Sequence, residues 1–206
     1  MTADPTALER RDATIVAGHR GDLDTVLAHL DDDEPTVRVA ALGALHRLGE
    51  LTATVLTAAF ADPSPAVRRR AGELAGAYAD VSLLGLLADP DPTVVEVAAW
   101  ACGEQEDVDD AVLDRLIELA TTADDPLGRE AAAAALGAIG DERGLPAILA
   151  ACDDKPHVRR RAVLALAPFD GPEVEAAIDR ALADRDWQVR QAAEDLRRAT
   201  GEVDLT

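Results

Sequence analysis

"DPSPAVRRRAGELAGAY" (residues 62–78) and "DDKPHVRRRAVLALAPF" (residues 153–169) nearly superimpose. Each opens on an aspartate, places a proline three residues on, and continues with a valine, three arginines and an alanine-rich run. Proline is well suited to the first turn of a helix, where its missing N–H would have found no partner anyway. Counted from the valine, small and apolar residues at offsets 0, 4, 7 or 8 and 11 trace one face of an α-helix. The same helix start occurs six times. Its anchors are Val37, Val67, Val94, Val158 and Val189, with Gly128 in the valine's place, and their spacings are 30, 27, 34, 30 and 31 residues. Four residues after each anchor stands an alanine, at 41, 71, 98, 132, 162 and 193, a small residue suited to close helix contact.

Prolines 35, 65, 92, 126 and 156 lie two residues before their anchors. Ser64, Asp91, Asp125 and Asp186 are the residue types that cap helix N-termini, and Trp187 takes the proline position in the last unit. Shorter amphipathic helices are predicted near 21–30, 51–61, 80–88, 108–121, 143–152 and 171–183, with tight joins at "GE" (49–50) and "GDERG" (140–144). The layout is six two-helix hairpins over 20–49, 50–79, 80–103, 104–140, 141–169 and 170–200, behind a lone capping helix at 5–18. A hairpin of about 30 residues cannot bury its own apolar stripe, so neighbours must stack. The expected fold is all-α: an α-solenoid, a right-handed superhelix forming one array over residues 1–206.

Composition agrees. Apolar residues make up 48% of the chain but only five are aromatic, and strand and hairpin signals are absent. No apolar run approaches the ~20 residues of a membrane span, and the polar N-terminus is unlike a secretory signal, which points to a cytoplasmic protein. Forty acidic side chains face 20 basic ones, for a net charge of −20, and Lys155 is the single lysine. Such an acidic, lysine-poor surface resembles proteins of salt-loving archaea; a GC-rich genome is the plainer source of the same bias. Cys102 and Cys152 stand apart in apolar helical contexts and read as small core residues, not as a metal or redox pair.

The segments "DEPTVRVAALGALHRLG" (33–49), "GDERGLPAILAACDDKPHVRRRAVLAL" (140–166) and "DRDWQVRQAAEDL" (184–196) resemble the HEAT-like repeat of the phycobilin-lyase type, and the resemblance spans residues 20–200. In HEAT repeats an aspartate of the inter-helix turn and an arginine at the second helix's start form a ladder along the stack. The resemblance therefore assigns Asp32, Arg38, Asp62, Arg68, Asp153, Arg159, Asp184 and Arg190 to such a ladder. The pattern lapses in the middle, where Val95 and Glu96 replace the third unit's arginine and Ala123 replaces the fourth unit's aspartate. A looser or differently curved junction is expected there.

Second helices of HEAT repeats line the concave surface, which turns offsets +2, +6 and +9 toward a groove. Those offsets hold Arg69, Glu73 and Gly76, then Glu96, Trp100 and Gly103, then Glu130, Ala134 and Gly137, and in the fifth unit Arg160. Trp100 is the large aromatic among them, as either a binding anchor or a residue packed into the irregular junction. The family spans lyases, adaptors, scaffolds, glycosylases and a di-iron hydroxylase that binds metal through His-Glu dipeptides. Here the four histidines precede Arg20, Leu30, Arg47 and Val158, so no metal, cofactor or catalytic set is expected. A net negative charge disfavours nucleic acid. The resemblance implies a monomeric, non-enzymatic scaffold or adaptor with a protein or peptide partner on its concave surface, held by Trp100, Arg69, Glu73, Glu96, Glu130 and Arg160. A chromophore lyase using the same groove is the alternative.

Overall fold

The computed structural model of the protein describes residues 6–203, and every regular element among them is helical. Helix α1 (Ala7–Arg20) comes first; the first residue of the expected cap, Pro5, lies outside the described residues. There follow α2 (Leu23–Ala28) with α3 (Pro35–Leu48), α4 (Ala53–Ala59) with α5 (Pro65–Ala75), then α6 (Pro92–Glu104). The chain ends with α7 (Asp110–Thr122) and α8 (Pro126–Ile139), α9 (Leu145–Ala151) and α10 (Pro156–Ala165), and α11 (Pro172–Leu182) and α12 (Trp187–Val203). Helices α1, α3, α5, α6, α8, α10 and α12 pack each against the next in a single layer, and the remaining helices form a second layer behind them. The protein is an α-solenoid. Its core is continuous, and the five anchor valines and six offset-4 alanines are all buried in it.

Helix starts follow the sequence with one exception. Asp91, Asp125 and Asp186 accept the amides of Thr93, Leu127 and Gln188 at 2.9, 3.1 and 2.8 Å. The Ser64 hydroxyl caps nothing; its own backbone N–H donates to Asp62 Oδ1 at 2.8 Å. At the tight joins Gly49 and Gly140 adopt φ of 75° and 71°, the left-handed conformation that ends a helix most cheaply in glycine.

The helix expected at 80–88 does not form. Its place is taken by turns and a single 3-10 turn, Leu86–Ala88. The anchor spacing into this unit, Val67 to Val94, is the shortest at 27 residues, and Val81, Ser82 and Gly85 are poor helix formers. Val81, Leu83, Leu86 and Leu87 are still buried, so the irregular segment fills the same space as a helix. The Gln105 side chain, just past α6, donates to the carbonyls of Tyr78 and Val81 at 3.3 and 3.1 Å, supplying bonds that a helix would have made internally.

Helix α1 is more than a cover. With Glu9 as its anchor, Arg10 and Gly18 fall at offsets +1 and +9, where five of the six repeats carry the ladder arginine and three carry a glycine. Arg10 forks onto Asp32 with contacts of 2.6 and 2.8 Å, and a Cβ on Gly18 would stand 2.6 Å from Ala44 Cβ. The same relation holds downstream. A Cβ on Gly103 would meet Ala135 Cα at 3.3 Å, and one on Gly137 would meet Ala165 Cβ at 2.5 Å and Cα at 2.6 Å. Helix α1 is thus the second helix of a half repeat. The polar anchor, without a proline two residues before it, hid this in the sequence. The offset-9 glycines, expected to be open groove positions, are small because the next helix lies against them.

The ladder arginines bond in two directions. Nη1 of Arg38, Arg68, Arg129 and Arg190 donates back to the carbonyl six residues earlier, at 2.6–2.9 Å. Nε and Nη2 fork forward onto the next unit's carboxylate: Arg38 on Asp62, Arg68 on Asp89, Arg129 on Asp154 and Arg159 on Asp184, at 2.5–2.9 Å. Paired, parallel contacts of this kind fix orientation as well as distance. Asp153, assigned to the ladder from sequence, is exposed, and Asp154 takes its place. Where the other back-bonds span six residues, Arg159 Nη1 reaches back only five, to the Asp154 carbonyl at 2.8 Å, so this unit's turn is one residue shorter between acceptor and arginine. Counting back from the proline misplaced it by one.

The arginines hold the Asp89, Asp154 and Asp184 carboxyls below their ordinary range, and Arg10 holds Asp32 at about 2. Burial pushes Asp62 the other way, but Arg38 and the Ser64 amide outweigh it and the net shift is downward.

Between α6 and α8 there is no rung. Val95 is buried where the arginine would stand, and Ala123 is half-buried where the aspartate would stand. The junction is not loose on this account. Gly103 lets α6 approach α8 closely, and Arg115 on α7 reaches across to the Leu87 carbonyl with two contacts of 3.2 Å.

Candidate functional site

A concavity of about 510 Å³ opens on the second-helix layer over the α6–α8 junction. Its centre is Trp100, which is 53% exposed and is not packed into the junction. Successive turns of α6 set Glu96, Trp100 and Glu104 on one face, since residues four apart are neighbours on a helix. Helix α8 supplies Leu127, 49% exposed, with Glu130 and Ala134; α5 supplies Glu73 and α10 supplies Arg161. The floor is alanine and glycine because these same positions bring adjacent helices together.

Glu73, Glu96, Trp100 and Glu130 are therefore gathered at one place. Arg69 does not line the concavity; it lies exposed beside it, with Nη1 on Glu73 Oε1 at 2.7 Å, while Arg70 holds the other oxygen at 2.9 Å. Arg160 belongs to a separate concavity of about 200 Å³ beside Trp187, with Leu164, Gln191 and Asp195. Its neighbour Arg161 reaches the Trp100 site instead, 3.8 Å from Glu130. Offset +2 leans toward the following repeat and offset +3 toward the preceding one, a distinction of a single 100° step. A third concavity shares Ala134, Ala138 and Arg161 with the first and Leu164 with the second, so the three join into one trough from Trp100 to Trp187.

Leu127 and Arg161 escaped the sequence reading. Leu127 precedes its anchor, in the first turn, where an exposed leucine carries no periodic signal. Cys102 is fully buried in α6, and burial pushes its thiol up to about 12; half-buried Cys152 is raised to about 11 for the same reason. Among the described residues no three His, Cys, Asp or Glu side chains are placed to hold a metal, and no helix is long and apolar enough to cross a membrane.

The repeat geometry has relatives. A family model described as HEAT repeats matches residues 52–136, 79–157 and 113–197, and a second, HEAT repeat, matches 23–52. The chain belongs to the HEAT-repeat family. Among solved structures, this HEAT-repeat protein is similar to the Escherichia coli protein YibA, with a TM-score of 0.73 at 18% identity over 95% of this chain and 78% of that one. Human deoxyhypusine hydroxylase in complex with glycerol matches with a TM-score of 0.48 at 21% identity, over 95% and 80% of the two chains. A designed armadillo repeat protein matches with a TM-score of 0.45 at 15% identity, over 96% and 95%. No curated protein matches the chain.

Proposed function

We propose that this HEAT-repeat protein is a non-enzymatic interaction scaffold, an adaptor that docks a partner protein or a peptide from one along the trough of its second-helix layer. The observation that carries this reading is Trp100, a large aromatic 53% exposed at the centre of a concavity, with Leu127 beside it. Tryptophan surrounded by charge is a favoured binding anchor, and a rigid stack presents such anchors in fixed register. Glu73, Glu96 and Glu130 form the rim, Arg69 lies beside it, and Arg160 lies farther along the trough, next to Trp187. The decisive test is recovery of a stoichiometric partner by the tagged protein. Trp100→Ala should abolish recovery, whereas Leu8→Ala, on exposed α1 outside the trough, should not. Equal recovery by both variants would remove the trough as the docking site.

A concavity of about 510 Å³ also lies within the size range of small-molecule sites, which favours a second reading as a chromophore lyase or ligand-binding protein of the phycobilin-lyase type. Co-purification of a pigment that Trp100→Ala loses would establish it.

We infer in addition that the charge of −20 is an adaptation to a salty cytoplasm. Self-repulsion opposes the compact state and is screened as ionic strength rises. The unfolding midpoint should fall as salt is withdrawn from molar to millimolar; an unchanged midpoint would refute the adaptation.

A further inference from the structure

The Trp100 concavity has a charge pattern that specifies the chemistry of its occupant. Of the four glutamates that line it, Glu73 is held by Arg69 and Arg70, and Glu130 faces Arg161 and His157 at 3.8 and 4.0 Å. Glu96 and Glu104 have no hydrogen-bond or ion-pair partner among the described residues. They stand one helical turn on either side of Trp100, so the exposed indole is bracketed by two uncompensated carboxylates. An indole face attracts a cation through its quadrupole, and arginine is the side chain that most often exploits this. A guanidinium stacked on Trp100 would also lie within reach of both carboxylates and could fork onto either. The alanine and glycine floor and Leu127 leave room for the apolar stem that carries such a head group. An acidic segment would meet repulsion from the rim and from the whole chain, and a neutral one would leave Glu96 and Glu104 unmatched.

We propose that the segment docked at Trp100 is cationic, with an arginine side chain seated on the indole between Glu96 and Glu104. This rests on the docking reading above and adds the chemical class of the partner. The probes are three short amidated peptides of the same alanine–leucine framework carrying paired arginines, paired citrullines or paired glutamates. Citrulline keeps the planar shape of arginine without its charge. Binding is read by calorimetry and by the indole N–H resonance of Trp100, assigned through its loss in Trp100→Phe. The arginine peptide should shift that resonance saturably and bind about tenfold or more tightly than its citrulline twin. Glu96→Gln combined with Glu104→Gln should bring the arginine peptide down to the citrulline level while the helical circular dichroism stays unchanged.

If the citrulline or glutamate peptide engages Trp100 as well as the arginine peptide does, the cation inference falls and the docking reading stands. If the arginine peptide binds without moving the Trp100 resonance, attraction to the acidic surface elsewhere explains it and the inference again falls. If none of the three moves Trp100, the inference and the trough as a peptide-docking site fall together.

Discussion

Five junctions of the solenoid carry an arginine forked on the next unit's aspartate: Arg10–Asp32, Arg38–Asp62, Arg68–Asp89, Arg129–Asp154 and Arg159–Asp184. The junction between α6 and α8 has none, yet its helices still meet at a glycine: a Cβ on Gly103 would stand 3.2–3.3 Å from Ala138 and Ala135, against 2.5–2.6 Å at Gly137 and Gly18. An offset-9 glycine pressed on the next helix occurs at both kinds, Gly18, Gly76 and Gly137 beside rungs and Gly103 at the rungless junction, while the first and fifth units carry His46 and Ala167 there. Close helix packing therefore does not depend on a rung. Donor and acceptor are also lost as a pair: Val95 and Ala123 replace them together. A lone arginine or aspartate there would be a poorly paired charge in a half-buried site, which costs more than having neither. The Trp100 concavity lies over this one rungless junction.

The sharpest test of the rung's role is Arg159→Ala against Arg160→Ala. The Arg159 side chain is almost fully buried and also closes its own turn on the Asp154 carbonyl at 2.8 Å. Its loss strands the Asp184 carboxylate and should lower stability by about 3 kcal/mol in urea unfolding. Arg160→Ala, which breaks no rung, should stay within about 0.5 kcal/mol. Equal losses would mean that the rung contributes no more than any surface charge.

Packing is compared directly by Gly137→Ala and Gly103→Ala. Alanine gains roughly 1 kcal/mol of helix propensity over glycine at either position. At Gly137 the new methyl would meet the backbone of Ala165, with Cα at 2.6 Å and the carbonyl oxygen at 2.8 Å, and backbone cannot yield locally. A net loss of about 1–3 kcal/mol is expected from overpacking. At Gly103 the contacts are 3.2–3.3 Å, so strain and propensity should nearly cancel. Thermal midpoints of the two variants decide it. If Gly103→Ala is the more damaging, the rungless junction is the tighter of the two.

These contrasts show what the sequence made legible. Six registers, marked by five prolines, five valines and six alanines, determine the second helices well, because each is a long, one-sided stripe with a chemical start signal. The first helix of the third unit was not legible, since four buried leucines and valines read alike whether they sit on a helix or in turns. The ladder was legible as a pattern but not as a wiring diagram. "DD" at 153–154 offers two carboxylates, and only the three-dimensional structure shows that the second is the one facing Arg129. Trp100 could be placed on a face by counting; its exposure could not, because that depends on how far apart α6 and α8 leave the space above their junction.

Acid separates the two kinds of junction. The rung aspartates have depressed pKa values in the fold, so their contribution is complete above the unfolded carboxylate value of about 3.9 and is lost as pH falls through the folded value. For Asp32 that window runs from about 4 down to about 2. Amide hydrogen exchange followed down this range should show protection falling at the starts of α3, α5 and α10 before it falls at the α6–α8 contact. Uniform loss would make the solenoid one cooperative unit in which rung and rungless junctions cannot be told apart.

The smallest net effect, and the most informative, is expected from building the missing rung with Val95→Arg and Ala123→Asp. Val95→Arg alone places a cation in a buried site and should destabilise by about 1–3 kcal/mol. Ala123→Asp alone should cost less, because the position is half-buried and the backbone carbonyl at 123 already accepts Arg129 Nη1. Together they should couple by about 0.5–3 kcal/mol and return the protein near its original stability, as measured by a double-mutant cycle. Coupling of that size would mean that the fold presents rung geometry even where no rung exists, and that its absence is a feature of this junction and not a constraint upon it. Peptide binding at Trp100 in the double variant then tests the reason. Weakened binding with stability restored would show that the trough needs α6 and α8 free to adjust; unchanged binding would make the lost rung incidental to docking.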